Sequence, residues 1–521
     1  MKTKSRYVGA TLIAFAIVFA VPAVPGAQLT SVKTETGTVS GSPVARGVVA
    51  YLGIPYAAPP VGDLRWRAPQ PAKPWTGVRR ADRFGTSCMQ NQPGSRLPWT
   101  EEFMAQGAVG EDCLFLNVWT AATSSNARLP VMFWIYGGAF NEGSSSVAVY
   151  DGSALARKGV IVVTINYRLG PLGFLAHPEL SKESEHHVSG NYGILDQIAA
   201  LQWVHENIAA FGGDPNVVTI FGQSAGALSV RSLMRSPLAK SLFIRAIAQS
   251  GPGLLPAAAA GGNATLAERE AAGLKYAGAK GARSLADLRT LQAAELLPPS
   301  GGRGGPALPN GPLRDGWVVP ATDPADQVPL MVGFVADDIG IGGGLGPASK
   351  PSVANFENEA QRLYGDKSAA FLKLYPVTSD AEVAAVQKSA ARDRARVSVD
   401  LWAADQMKAS KRVYTYYFDR VLPWPAHPEF GAFHTSEVPY VFQTIDTIDR
   451  PWELADKTVS DTVSSYWTNF AKPGDPNGAG LPSWAAYSAN SHKTMQLGVR
   501  TGVMDTAEAA KLDFLLGALQ K

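Results

Sequence analysis

The pentapeptide Gly222-Gln223-Ser224-Ala225-Gly226 joins two segments of different character. Before it runs Val217-Val218-Thr219-Ile220-Phe221, a continuous apolar stretch that reads as a buried strand. After it comes Ala227-Leu228-Ser229-Val230-Arg231-Ser232-Leu233-Met234, which reads as a helix. A chain that passes from buried strand to helix in so few residues must turn sharply. The flanking glycines remove side chains that would clash in such a turn, and the serine hydroxyl then stands exposed above the sheet. Helix entry just after Ser224 sets free backbone N–H groups and the positive dipole end beside that hydroxyl. The same residues also fit an ordinary helix entry with Ser224 near its N-cap, so the decision rests on the rest of the chain.

Three further apolar runs read as central strands: Cys113 to Trp119, Val131 to Tyr136 and Val160 to Tyr167. A helix fills the interval before the turn, from about Ile194 to Phe211. Its Ile194, Leu195, Ile198, Leu201, Val204 and Ile208 recur at helical spacing, and Gly212-Gly213-Asp214-Pro215 ends it. Phe243 to Gln249, Met331 to Val335 and the aromatic run Val413 to Phe418 are later strand candidates, and residues 459–470 form an amphipathic helix. Strands joined by such helices predict an α/β fold with a large, mainly parallel sheet covered on both faces. Residues 32–60 alternate short β-type runs with turn residues and predict antiparallel strands at a sheet edge. Residues 251–312, rich in Ala, Gly and Pro, and residues 341–410, helical in pattern from 352, read as insertions over the sheet that would form the walls of a pocket.

The chain has 521 residues. Lys2, Lys4 and Arg6 precede an apolar run over residues 8–21, followed by small residues at Ala23 and Ala27. This is the pattern of a signal peptide over residues 1–27, leaving 28–521 as one catalytic domain in a secreted or periplasmic protein. The run is short for a stable membrane anchor. A net charge of +3, with only 17% charged residues and no Lys/Arg-rich run, gives no case for a nucleic-acid partner. The two cysteines, Cys88 and Cys113, form one pair, and an exported chain favours a bridge between them over two buried thiols. No Cys/His spacing resembles a metal site, and no cofactor is expected.

A serine hydroxyl needs a positioned base to act as a nucleophile. Of the seven histidines, only His427, His434 and His492 lie well downstream of Ser224. His434 follows soon after the aromatic run, where a strand end would place it. His427 lies near prolines, and His492 follows a polar turn. Between serine and histidine, Asp337 and Asp338 follow the run Met331 to Val335. One of these carboxylates would hold the imidazole tautomer, and Asp338 is favoured, with Asp337 open as the alternative. Gly137 and Gly138, just after the run Val131 to Tyr136, let backbone N–H groups approach a developing oxyanion.

Several long motifs accompany these residues in order. They are Glu111-Asp112-Cys113-Leu114-Phe115-Leu116-Asn117-Val118-Trp119, the Tyr136-Gly137-Gly138 loop, Asn166 to Phe174, and Gly190 to Gln197 running on to the serine turn. With them the chain resembles the type-B carboxylesterases, the family that also contains the cholinesterases. The resemblance is dense over about residues 35–250 and sparser over 313–500. It implies an α/β-hydrolase fold and an acyl-enzyme route for small to medium carboxylic esters. It also implies Ser224 as nucleophile, His434 as general base and acid, Asp338 as acid partner, and the N–H groups of Gly138, Ala139 and Ala225 as oxyanion donors. Cys88–Cys113 would match the family's first disulfide. Three positions depart from the family. Asp338 stands where Glu is usual, one methylene shorter, so its loop must approach His434 more closely. Ala139 replaces a common Gly. Gln223 replaces the Glu of cholinesterases, which argues against a choline-like cation as substrate. The resemblance also admits a neuroligin-like binding protein, and a lipase or peptidase variant; the serine and histidine together argue against the binder.

Overall fold

The computed structural model describes residues 29–92, 94–251, 264–298, 311–320, 322, 328–338, 351–408 and 412–519. The expected signal peptide lies outside these residues, as do parts of both expected insertions.

An 11-stranded sheet organises the chain. Its strands in chain order are β1 (Ser42–Ala45), β2 (Val48–Pro55), β3 (Phe115–Thr120), β4 (Leu129–Ile135), β5 (Ile161–Ile165) and β6 (Gly213–Gln223). Then come β7 (Arg245–Gln249), β8 (Leu330–Val335), β9 (Val413–Phe418), β10 (Lys493–Leu497) and β11 (Gly502–Asp505). In space they run β11-β10-β9-β8-β7-β6-β4-β5-β3-β2-β1. All pairings from β10 through β5 are parallel. The edges are antiparallel: β5–β3, β3–β2 and β2–β1 on one side, β10–β11 on the other. The run Cys113 to Trp119 is therefore a strand of the antiparallel edge. A fully apolar run says that a strand is buried and leaves its direction open.

Parallel order has a consequence for chemistry. Strands β6, β8 and β9 all end on the same rim, where loops can bring side chains together. The apolar runs that form them are buried throughout β8 and β9 and over the second half of β6. Below the rim, Trp134 of β4 packs against Phe221 of β6 and Phe442 at ring-centroid distances of 4.8 and 5.0 Å. The serine turn and the segment after His434 thus share one aromatic core.

Helix α1 (Tyr192–Asn207) continues as a 3₁₀ turn over Ile208–Phe211 and stops at Gly212, whose φ of 86° is left-handed. Asp196 of α1 is fully buried and takes Arg168 in a two-pronged ion pair, with the Arg168 backbone N–H as a third donor. This fastens the Asn166 to Phe174 segment onto the helix. Helix α2 (Ala225–Arg235) follows the serine. Helix α3 (Asp380–Met407) belongs to the second insertion, and α4 (Leu454–Ala471) covers the expected amphipathic stretch. Among the described residues, no helix is long and apolar enough to cross a membrane.

Candidate active site

Strand β6 ends at Gln223 and helix α2 begins at Ala225, so Ser224 alone makes the turn. Its backbone sits at φ 58° and ψ −122°. An L-residue holds such a conformation only where its surroundings impose it. Here close packing imposes it. A Cβ on Gly226 would lie 1.9 Å from the Ile135 carbonyl oxygen, and one on Gly137 would lie 2.7 Å from the Gln223 carbonyl oxygen. The Ser224 N–H donates to the Gln249 carbonyl at 2.8 Å, tying the turn to β7. The Leu228 N–H donates back to the Ser224 carbonyl at 3.1 Å. The N–H of Ala225, at the first helical position, precedes that ladder and has no acceptor four residues back inside the helix.

His434 lies in the loop after β9, and Asp338 lies just beyond the end of β8. Asp338 Oδ1 is hydrogen-bonded directly to His434 Nδ1, and both side chains are buried. A carboxylate on Nδ1 fixes the tautomer with the proton there and leaves Nε2 with the lone pair. Burial alone would depress the basicity of this imidazole. The Asp338 charge and hydrogen bond outweigh burial, and Glu437 adds to them, so the pKa lies above the ordinary 6.5. The Gln223 side-chain amide lies beside the ring, with Nε2 3.2 Å from His434 Nε2.

Asp337 meets other partners. Its Oδ1 takes Lys388 Nζ and Arg392 Nη2, each at 2.5 Å, and its Oδ2 accepts the Ala432 N–H at 2.7 Å. Burial pushes this carboxyl up, but the two cations outweigh that effect and hold it below the usual range. Of the two neighbouring acids, Asp338 is the one hydrogen-bonded to the imidazole.

Ser224 and His434 line one cavity of about 130 Å³, together with Gly137, Gly138 and Ala139. Gly138 and Ala139 both have positive φ, 107° and 52°. A Cβ on Gly138 would lie 2.1 Å from the Glu142 carbonyl oxygen, so that position admits only glycine. The residues read from the sequence as donors thus flank the serine: two on the loop after β4, one at the start of α2.

The opposite wall was not legible. It comes from the loop between Cys88 and Cys113, which are joined by a disulfide. Gln90, Arg96, Trp99, Phe103 and Met104 of that loop line the cavity. Trp99 Nε1 donates to the His434 carbonyl at 3.1 Å and to Thr435 Oγ1 at 2.9 Å, so the wall is fastened to the histidine loop. Arg96 pairs with Glu142 at 2.6 Å across the mouth. The insertions 251–312 and 341–410 were expected to supply the walls; among the described residues, neither lines this cavity. The other residue missed is Glu437, three places after His434 and fully buried. Its Oε1 accepts from Gln249 Nε2 at 3.2 Å, and its Oε2 has no partner among the described residues. Burial, then the nearby Asp338 charge, push its carboxyl up to about 7.

Residues 28–515 match the model of the Carboxylesterase family. The chain belongs to that family. This carboxylesterase is 38% identical to a fumonisin B1 esterase of Sphingopyxis macrogoltabida, over 95% of this chain and 92% of that one. It is 35% identical to a para-nitrobenzyl esterase of Bacillus subtilis, over 92% and 97% of the two chains. It is 33% identical to a human cocaine esterase, over 93% and 91%. The carboxylesterase is accordingly an α/β-hydrolase that hydrolyses carboxylic esters of small molecules. Among the described residues, no group of three or more His, Cys, Asp or Glu side chains is placed to hold a metal ion.

Proposed function

We propose that this carboxylesterase cleaves small to medium esters through a Ser224–His434–Asp338 triad and an acyl-enzyme, after export from the cell. The observation that carries the reading is the Asp338–His434 hydrogen bond, set on the same cavity as a serine held in a strained strand-to-helix turn. In this scheme Ser224 Oγ attacks the ester carbonyl carbon while His434 Nε2 takes its proton. The carbonyl oxygen becomes an oxyanion facing the N–H groups of Gly138, Ala139 and Ala225. Collapse breaks the carbon–oxygen bond, and His434 returns the proton to the departing alcohol. Water then repeats the sequence on the acyl-enzyme and releases the acid.

Asp338 stabilises the imidazolium that forms at each stage without itself becoming protonated. The cavity combines amide side chains with Trp99, Phe103 and Met104, which suits esters that are partly apolar and partly polar. The names of the fumonisin B1, para-nitrobenzyl and cocaine esterases support esters of small molecules as candidates. Export is supported by the amino-terminal sequence pattern and by the disulfide.

The test is a panel of p-nitrophenyl, feruloyl and polycarboxylate esters assayed with the protein and its variants. Ser224→Ala and His434→Ala should each lower kcat by on the order of 10⁴-fold or more, with a residue left from binding and the oxyanion donors. A fluorophosphonate should label Ser224 stoichiometrically. Hydrolysis near the wild-type rate after Ser224→Ala, or an unlabelled protein, would overturn the reading.

A further inference from the structure

The unusual position in this site is the acid. The resemblance to the type-B carboxylesterases implies Glu where this chain has Asp338, and the shorter Asp338 reaches His434 Nδ1. The loops that carry the two residues lie directly against each other. The contacts that draw them together are made by the neighbour, Asp337. Its backbone N–H donates to the Ala432 carbonyl at 2.9 Å, and its side-chain Oδ2 accepts the Ala432 N–H at 2.7 Å. Residue 337 pairs with Phe433 in a short parallel bridge, immediately before His434. The fit leaves no slack: Gly431 has φ 58°, and a Cβ there would lie 2.0 Å from Asp337 Oδ2.

The remaining oxygen is held from the opposite side. Lys388 and Arg392 stand one turn apart on α3 and both reach Asp337 Oδ1 at 2.5 Å. Arg392 Nε also donates to the Ala336 carbonyl at 3.0 Å. The helix thus grips the acid loop by backbone and side chain together, and that loop grips the histidine loop. The Asp337 side chain is almost wholly buried, whereas Lys388 and Arg392 are partly exposed. Removing one cation leaves Asp337 a second partner.

We propose that Asp337, clasped by Lys388 and Arg392, is a positioning residue that sets the reach of the short acid Asp338 to His434. It touches neither substrate nor the reacting atoms. Its effect is on geometry, and geometry of this kind is sensitive: a misplacement of about 1 Å can cost on the order of 100-fold in rate. This inference rests on the triad reading and adds to it the contacts that hold Asp338 within reach of His434.

Kinetics of the intact protein test it. Asp337→Asn should lower kcat about 10- to 100-fold with KM nearly unchanged, while a fluorophosphonate still labels every molecule, only more slowly. Arg392→Met should lower kcat about fivefold or more, Arg392→Lys should restore part of it, and Asp337→Asn combined with Arg392→Met should cost little more than Asp337→Asn alone. Should Asp337→Asn fail to fold, Lys388→Met and Arg392→Met, at partly exposed positions, carry the test through the same split between kcat and KM. An unchanged kcat in both of these, or strictly additive effects at 337 and 392, overturns the clasp. Ser224→Ala and His434→Ala are measured alongside. If they abolish hydrolysis while the clasp variants match the wild type, the clasp alone falls; if they leave hydrolysis intact, the triad falls and the clasp with it.

Discussion

Gln223 shows how much one atom can alter a site of this kind. Its side-chain amide lies against the imidazole that the proposed mechanism uses as its base. In that mechanism a protonated His434 cannot accept the serine proton, so activity should be lost as pH falls through its pKa. That pKa lies above the ordinary imidazole value, because the Asp338 carboxylate outweighs the effect of burial. The acid limb of kcat/KM should therefore lie above pH 6.5. Replacing Gln223 with Glu puts a second carboxylate beside the ring and favours the imidazolium further. The limb should then move up by about one pH unit or more. A Gln223→Glu profile that superimposes on the wild type would mean that residue 223 turns away from the histidine in the working enzyme. The sequence singled out Gln223 as a lost negative charge. It did not show that the remaining amide would face the base, because that depends on how two loops cross.

At the scale of elements, the strands that carry chemistry were legible because each is a continuous apolar run. The end strands β10 and β11 were not. Lys493–Leu497 reads KTMQL and Gly502–Asp505 reads GVMD, too short and too polar for any period to stand out. The sequence favoured Asp338 over Asp337 but could not show what engages Asp337. Its partners Lys388 and Arg392 lie some fifty residues away on α3. The cavity wall between Cys88 and Cys113 escaped notice for another reason: irregular loops carry no periodicity, and their position follows from what they touch. The disulfide closes that loop, and Trp99 fastens it to the histidine loop. Cys88→Ser together with Cys113→Ser should lower stability by about 3 kcal/mol in urea unfolding. It should also raise KM more than it lowers kcat, because the wall loosens while Ser224 and His434 stay in place. A variant with wild-type KM would show that the bridge contributes to stability alone.

Across the whole molecule, folding stability is linked to pH through Glu437. In the unfolded chain its carboxyl ionises near 4.5, and in the folded protein near 7. Between those values the unfolded chain gives up the proton and the native state keeps it. The group's contribution is therefore fully present below pH 4.5 and is lost as pH rises towards 7. The loss reaches at most about 3 kcal/mol. Glu437→Gln removes this one titration and leaves all others. The difference in Tm between variant and wild type should therefore grow in the variant's favour from pH 5 to pH 8. Equal Tm profiles would place an ionised carboxylate in the native core instead. The same comparison bears on catalysis, since the Glu437 charge is felt by His434.

The strand order separates the proposed triad from the wall that faces it. Ser224, Asp338 and His434 hang from the ends of β6, β8 and β9, deep in the parallel part of the sheet. The wall facing them is looped out from the antiparallel margin, between β2 and β3. One half of the pocket can therefore be exchanged as a cassette, anchored at its two sulfurs. Grafting the corresponding loop from a related esterase should carry over the donor's taste in esters and leave the host's reactive machinery undisturbed.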